Sequence, residues 1–198
     1  MINVEFTPEK DGIVAGEENT FEVLLRASSD LMRPTVSDKK LPLNLALVLD
    51  RSGSMQGRPL EEAKKCAAML VDRMSENDML SVTTYDSRVD VIIPTTRVKN
   101  KNHLKDRINQ INPGGMTALY DGWSIGAEQV AEFADNNSLS RVLLLSDGQA
   151  NSGLTDEETI TSHCGTMAEN GVTTSTYGLG PHFNENLMSA MATAGQGQ

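Results

Sequence analysis

Three observations predict an α/β fold with a doubly wound, mainly parallel central sheet flanked by helices on both faces. Two continuous apolar runs, "LNLALVLD" (residues 43–50) and "SRVLLLSDG" (140–148), have the character of strands covered on both sides. Helical patterns alternate with them along the chain. Each run stops abruptly at an aspartate, and the carboxyl ends of parallel strands are where such folds bind ligands.

The elements follow in order. Residues 1–40 are set apart as a small N-terminal β extension and connector packed against the main domain, which takes residues 41–198. "VEFTPEK" and "TFEVLLRA" alternate apolar and polar residues as half-buried strands do, with turn residues in "EKDG" and "AGEEN". "SSDLMRPTVSDKK" reads as the connector. After the 43–50 strand, "RPLEEAKKCAAMLVDRM" places Leu60, Ala63, Ala67, Leu70, Val71 and Met74 on one helical stripe, with Pro59 in the first turn. "DMLSVTTYDS" and "VDVIIPT" read as strands paired through a short connection, and "NHLKDRINQI" as a short helix. "LYDGWSIGAEQVAEFA" reads as a longer helix carrying Ile125, Ala127, Val130, Ala131 and Phe133. "DEETITSHCGTMAEN" is a helix closed by Gly171, "VTTSTYGLG" a strand and "NENLMSAMATAG" a last helix. The chain stops in "AGQGQ", where a further strand is expected, so the domain is read as continuing in the native protein or as having lost a terminal strand.

Composition narrows the function. The 198 residues carry 27 acidic against 17 basic side chains, a formal charge of −10, which opposes adhesion to nucleic acid or to an anionic membrane surface. No apolar stretch approaches the roughly 20 residues of a membrane span. The first residues have neither the basic nor the apolar region of a signal peptide, so with Met1 as native start the expected location is the cytoplasm. Cys66 and Cys164 lie far apart without metal-ligand spacing and are expected as reduced, largely buried thiols.

Asp50, Ser52 and Ser54 follow the first apolar strand at alternate positions. Thr117 stands in the glycine-rich loop "PGGMTALYDG" before a helix, and Asp147 ends the second apolar strand. Brought to one sheet edge, they supply two carboxylates and three hydroxyls with no basic residue among the five. Such hard oxygen donors suit Mg²⁺, with Mn²⁺ or Ca²⁺ also admissible. Two serine oxygens, one threonine oxygen and waters make a plausible coordination set, with the aspartates accepting hydrogen bonds from those waters. Asp-x-Ser-x-Ser alone is a common cap or turn pattern, and it gains weight from the two strand-ending aspartates with a Gly-Gly-x-Thr loop between them. Met55, Gln56, Arg58, Tyr85, Asp86, Met116, Tyr120 and Gln149 are expected near the rim as partner contacts, and Trp123 in the core.

On these residues the chain resembles the von Willebrand factor type A (VWA) domain, similar to integrin I domains, over about residues 41–194. The five positions match that family's metal-ion-dependent adhesion site. The resemblance implies a Rossmann-like fold, direct metal contacts from Ser52, Ser54 and Thr117, and contacts largely through water from Asp50 and Asp147. It also implies binding of an Asp or Glu carboxylate on a protein partner through the metal. "PLNLALVLDRSGSMQGRPLEEAK" is similar to a bacterial, intracellular branch, in which an adaptor role beside an AAA+ ATPase or kinase is expected. The N-terminal β extension resembles arrangements in inter-α-trypsin inhibitor heavy chains.

Two other readings are set against this non-enzymatic one. A Mg²⁺-dependent phosphohydrolase of the haloacid dehalogenase type needs an aspartate where Ser52 stands and a lysine near the phosphate. A phosphate loop of the G-x-x-x-x-G-K-[ST] type is absent as well. The other alternative is a metal-free structural scaffold.

Overall fold

The computed structural model describes residues 41–135, 137–147, 150–180 and 183–198 with their side chains, and residues 2–8 and 23–29 as backbone. The chain divides into two units, Met1–Lys40 and Leu41–Gln198. In the first, β1 (Ile2–Pro8) and β2 (Val23–Ser29) form an antiparallel pair, Ile2 opposite Ser29 and Pro8 opposite Val23. The turn residues expected between them, and the connector from residue 30 on, lie outside the described residues.

The second unit runs β3 (Leu43–Asp50), α1 (Arg58–Arg73), β4 (Met79–Tyr85), β5 (Val89–Arg97), α2 (Lys101–Asn109), α3 (Leu119–Ala131), β6 (Leu139–Ser146), α4 (Glu157–Glu169), β7 (Val172–Gly178) and α5 (Glu185–Ala194). The sheet order is β5-β4-β3-β6-β7, parallel throughout except that β5 runs antiparallel to β4. From β3 the chain winds outward through β4. It then returns to β6, on the other side of β3, and winds the opposite way to β7. The strand order therefore reverses between β3 and β6, and the crevice beyond their carboxyl ends is the place such a fold offers a ligand. This is the predicted doubly wound α/β architecture.

Period-two alternation along β3 sorts the core into two layers. Leu45, Leu47 and Leu49 face α1 and α2, meeting Leu60, Ala63, Ala67, Val71, Leu104 and Ile108. Ala46 and Val48 face the opposite way, in a cluster with Trp123 and Val130 of α3, Ile160 and Cys164 of α4, and Leu187 and Met191 of α5. The buried stripe of α3 is Leu119, Gly122, Trp123, Gly126, Ala127 and Val130. Of the other apolar residues read into this helix, Ile125 is half-buried and Ala131 exposed, and Phe133, 42% exposed, lies beyond the helix end. Glycine shapes this stripe: a Cβ on Gly122 would overlap the Tyr85 ring and one on Gly126 the Val48 side chain, so α3 reaches the sheet by close approach. Among the described residues after Arg107, Arg141 is the only Lys or Arg, whereas α1 and α2 carry Arg58, Lys64, Lys65, Arg73, Lys101, Lys105 and Arg107.

The end of the chain lies along the outer edge of β7. Thr174 N–H donates to the Gly195 carbonyl and Thr176 N–H to the Gln198 carbonyl, both at 2.8 Å. No helix among the described residues is long and apolar enough to cross a membrane.

Both cysteines are free thiols, Cys164 fully buried and Cys66 half-buried. Burial pushes the Cys164 thiol from the ordinary 9.0 up to about 12. In native protein at pH 8, Cys164 is expected to resist a thiol-specific chromogenic reagent and to react promptly once the chain is denatured. Above pH 9 the unfolded thiol ionises while the folded one stays protonated. Its contribution to stability, whole below pH 9, is therefore lost progressively as the pH climbs toward 12, which urea titrations at stepped pH would detect.

Candidate metal centre

Asp50 ends β3 on the α3 side of the sheet, in register with Tyr85 at the end of β4. Ser146 ends β6 one residue beyond the last registered pair, Leu49 with Leu145. Both neighbours serve the Asp50 carboxylate. Ser146 Oγ donates to Asp50 Oδ2 at 2.6 Å and the Tyr85 hydroxyl donates to the same oxygen at 3.3 Å. Ser52 N–H donates to Oδ1 at 2.8 Å, folding the loop back over the strand end. Burial raises the Asp50 pKa, and the nearby Asp147 charge adds to it, against the opposing hydrogen bonds from Ser146 and Ser52. Burial, and then the Asp50 charge, also pushes the Tyr85 phenol well above its ordinary range.

Beyond Asp50 the chain enters a short 3-10 turn, Gly53–Met55, whose Met55 is fully buried in the α1-side core and anchors the loop from below. With Met55 as the anchor, Ser52 Oγ and Ser54 Oγ stand 3.1 Å apart, the first buried and the second open to solvent. Gly57 then adopts φ 85°, a left-handed turn that suits glycine, and Pro59 starts α1.

Three loops meet here, joined pairwise. Gly53 N–H donates to the Gly115 carbonyl at 2.8 Å and Gly114 N–H to the Arg51 carbonyl at 2.6 Å, tying the Ser52 loop to the Thr117 loop. Thr117 N–H donates to Asn151 Oδ1 at 2.8 Å, and Asn151 N–H returns to the Thr117 carbonyl at 3.2 Å. That exchange ties the Thr117 loop to the segment after β6. The Ser146–Asp50 bond joins the ends of β6 and β3, from which that segment and the Ser52 loop leave. All five predicted residues thus stand on the end of β3 and the loops that meet it, with Asp50, Ser52, Thr117 and Asp147 buried.

No basic side chain pairs with Asp50 among the described residues. Arg51, its neighbour, turns away: Nη2 lies 2.6 Å from Asp90 Oδ2 and Nε 3.1 Å from Asp86 Oδ2, the latter an ion pair without hydrogen-bond alignment. A buried carboxylate facing hydroxyls and a second carboxylate, with the nearest guanidinium directed elsewhere, is a set that a hard cation would neutralise. No group of three His, Cys, Asp or Glu suited to a metal occurs among the described residues.

The rim differs from the sequence reading. Met55, Tyr85 and Asp86 are buried and support the loops from beneath, while Gln56, Arg58 and Met116 are exposed and Tyr120 is half-buried. Gln149 lies outside the described residues. Trp123 is core, as expected, with 2% exposure. Asn151, Ser146 and Asp86 were not foreseen in their positioning roles.

The fold and this loop set define the class. The family model for the von Willebrand factor type A domain matches residues 44–198. The chain is 37% identical over 161 residues to the uncharacterized protein sll0103 of Synechocystis, covering 81% of this chain and 37% of that one. It is 26% identical over 166 residues to inter-alpha-trypsin inhibitor heavy chain H3 of Mesocricetus auratus, covering 79% and 19%. Among solved structures, proximal thread matrix protein 1 of the mussel byssus, with a zinc-occupied metal-ion-dependent adhesion site, superposes with a TM-score of 0.67 at 21% identity, covering 77% of this chain and 42% of that one.

The chain belongs to the von Willebrand factor type A domain family, a family of protein-interaction modules. It spans less than two fifths of the length of either curated relative.

Proposed function

We propose that this domain is a divalent-cation-dependent protein-binding module and not an enzyme. The observation that carries the reading is the buried Asp50 carboxylate, left without a basic partner among the described residues and ringed by hydroxyl-bearing loops at the strand-order switch. Ser52, Ser54 and Thr117 would hold the ion through their hydroxyls, and Asp50 and Asp147 would orient its waters, an intact adhesion site of the family type. A bound Mg²⁺, or Mn²⁺ or Ca²⁺ in its place, supplies Lewis acidity toward an Asp or Glu carboxylate offered by the partner. The zinc in the mussel relative supports divalent occupancy at such a loop set.

The chain's charge of −10 gives the metal a second role. An acidic partner is repelled at long range and drawn in only at the ion, so the contact becomes conditional on metal. Within a bacterial, intracellular setting this fits a cytoplasmic adaptor serving an assembly machine such as an AAA+ ATPase or a kinase.

Calorimetric titration with Mg²⁺ and Mn²⁺ tests the first step, and one ion per chain is expected. A glutamate-containing peptide should then bind in Mg²⁺ and lose binding both in EDTA and when its glutamate is replaced by alanine. Absence of heat with either ion would return the domain to a metal-free scaffold, and turnover of a generic phosphoester would make it an enzyme.

A further inference from the structure

Every residue from Gly114 to Ala118 is tied down by at least one hydrogen bond, and much of the tying comes from an element outside the five-residue motif. The turn between β4 and β5 is Asp86, Ser87 and Arg88. It closes on itself through Asp86 N–H to the Arg88 carbonyl at 2.9 Å and Arg88 N–H to Asp86 Oδ1 at 2.8 Å. From this turn the Asp86 carbonyl accepts Ala118 N–H, and Ser87 Oγ accepts Met116 N–H, each at 2.9 Å. Thr117 N–H, between them, goes to Asn151 Oδ1. Three consecutive amides around the threonine are therefore held from two sides.

The two glycines make this approach possible. A Cβ on Gly114 would overlap the Asp86 carboxylate, and one on Gly115 would crowd Ser87 Oγ. Arg51 completes the arrangement by holding Asp86 through its Nε and giving its own carbonyl to Gly114 N–H. A loop fixed at this density pays its ordering entropy on folding rather than on ligand binding.

We infer that the Asp86–Arg88 turn, with Arg51 and Asn151, is a clamp that locks the Thr117 loop in its metal-ready position, so that the site is preorganised rather than assembled by loop movement. This rests on the metal-binding reading and deepens it. Asp86, Ser87 and Asn151 are positioning residues, since they act on Thr117 through its backbone and its neighbours. Ser87 is exposed, so its hydroxyl can be removed without opening the core.

Two measurements on the whole chain test the clamp. In metal-free protein, the amides of Met116 and Ala118 are expected to exchange slowly with deuterium, and Ser87→Ala and Asp86→Ala to speed them at least tenfold. In calorimetry the same variants should lower Mg²⁺ affinity about tenfold, with Ser87→Thr restoring it and the metal-free melting temperature of Ser87→Ala unchanged. Gly114→Ala should reproduce Asp86→Ala by displacing the carboxylate. The double variant should then be no worse than either single one, because the alanine methyl occupies the space the carboxylate has vacated. Unchanged exchange, or Mg²⁺ affinity within twofold of wild type in both Ser87→Ala and Asp86→Ala, overturns the clamp. If the wild type binds neither Mg²⁺ nor Mn²⁺, the metal reading fails instead, and the exchange rates still decide whether the turn holds the loop.

Discussion

Thr117→Ala is expected to weaken Mg²⁺ binding by about a hundredfold while leaving the metal-free fold intact, because it removes a proposed direct ligand whose loss exceeds that of an outer-shell group. The Thr117 hydroxyl makes no hydrogen bond to another described residue, so its removal strands no partner among them. The backbone bonds to Asn151 and the buried position of the residue both survive the change. The effect is therefore visible only with metal present. At a concentration 100 times its dissociation constant, Mg²⁺ stabilises the wild type by about 2.7 kcal/mol, whereas a variant weakened a hundredfold gains about 0.4 kcal/mol. Thermal melts with and without Mg²⁺ read this directly. Thr117→Ser, which keeps the oxygen, should recover most of the metal-dependent increment. An equal increment in wild type and Thr117→Ala would remove Thr117 from the ligand set.

The shared edge of Asp50 and Asp147 was legible because strand ends are legible. An apolar run that stops at a carboxylate shows both the strand and its exit, and parallel strands share one exit edge, so Asp50 and Asp147 could be placed together from sequence alone. The supporting shell was not legible. Ser87 Oγ reaches Met116 N–H across 29 residues and Asn151 Oδ1 reaches Thr117 N–H across 34, side chain to backbone, leaving no periodic trace in the sequence. Tyr85 shows a subtler failure. An aromatic residue beside a loop suggests a rim contact, but its parity on β4 matches that of Asp50 on β3, which puts the phenol beneath the site. The glycines of the α3 stripe were illegible for a different reason. Hydropathy patterns weigh large apolar side chains, whereas Gly122 and Gly126 are buried because they have none.

That close-packed α3 makes Trp123→Ala the substitution with the largest expected effect on stability. The indole is 2% exposed in the α3-side core, and its Nε1–H donates to the buried Thr174 Oγ1 at 3.1 Å, joining the middle of α3 to β7. Truncation removes the ring, leaves a cavity and strands the Thr174 hydroxyl, a loss of about 3–5 kcal/mol. For a domain of this size that corresponds to a fall in melting temperature on the order of 10 °C. Trp123→Phe separates the parts, since it keeps most of the packing and forfeits the hydrogen bond, for about 1–2 kcal/mol. Trp123 is the only tryptophan, so urea unfolding has to be followed by circular dichroism rather than by its fluorescence. Helix α3 begins two residues after Thr117, which ties this core position to the site. Trp123→Phe should bind Mg²⁺ as the wild type does, because the loop is held at its own end by Asn151 and the Asp86–Arg88 turn. Weakened Mg²⁺ binding in a well-folded Trp123→Phe would mean instead that the seating of α3, and not the loop's own bonds, sets the position of Thr117.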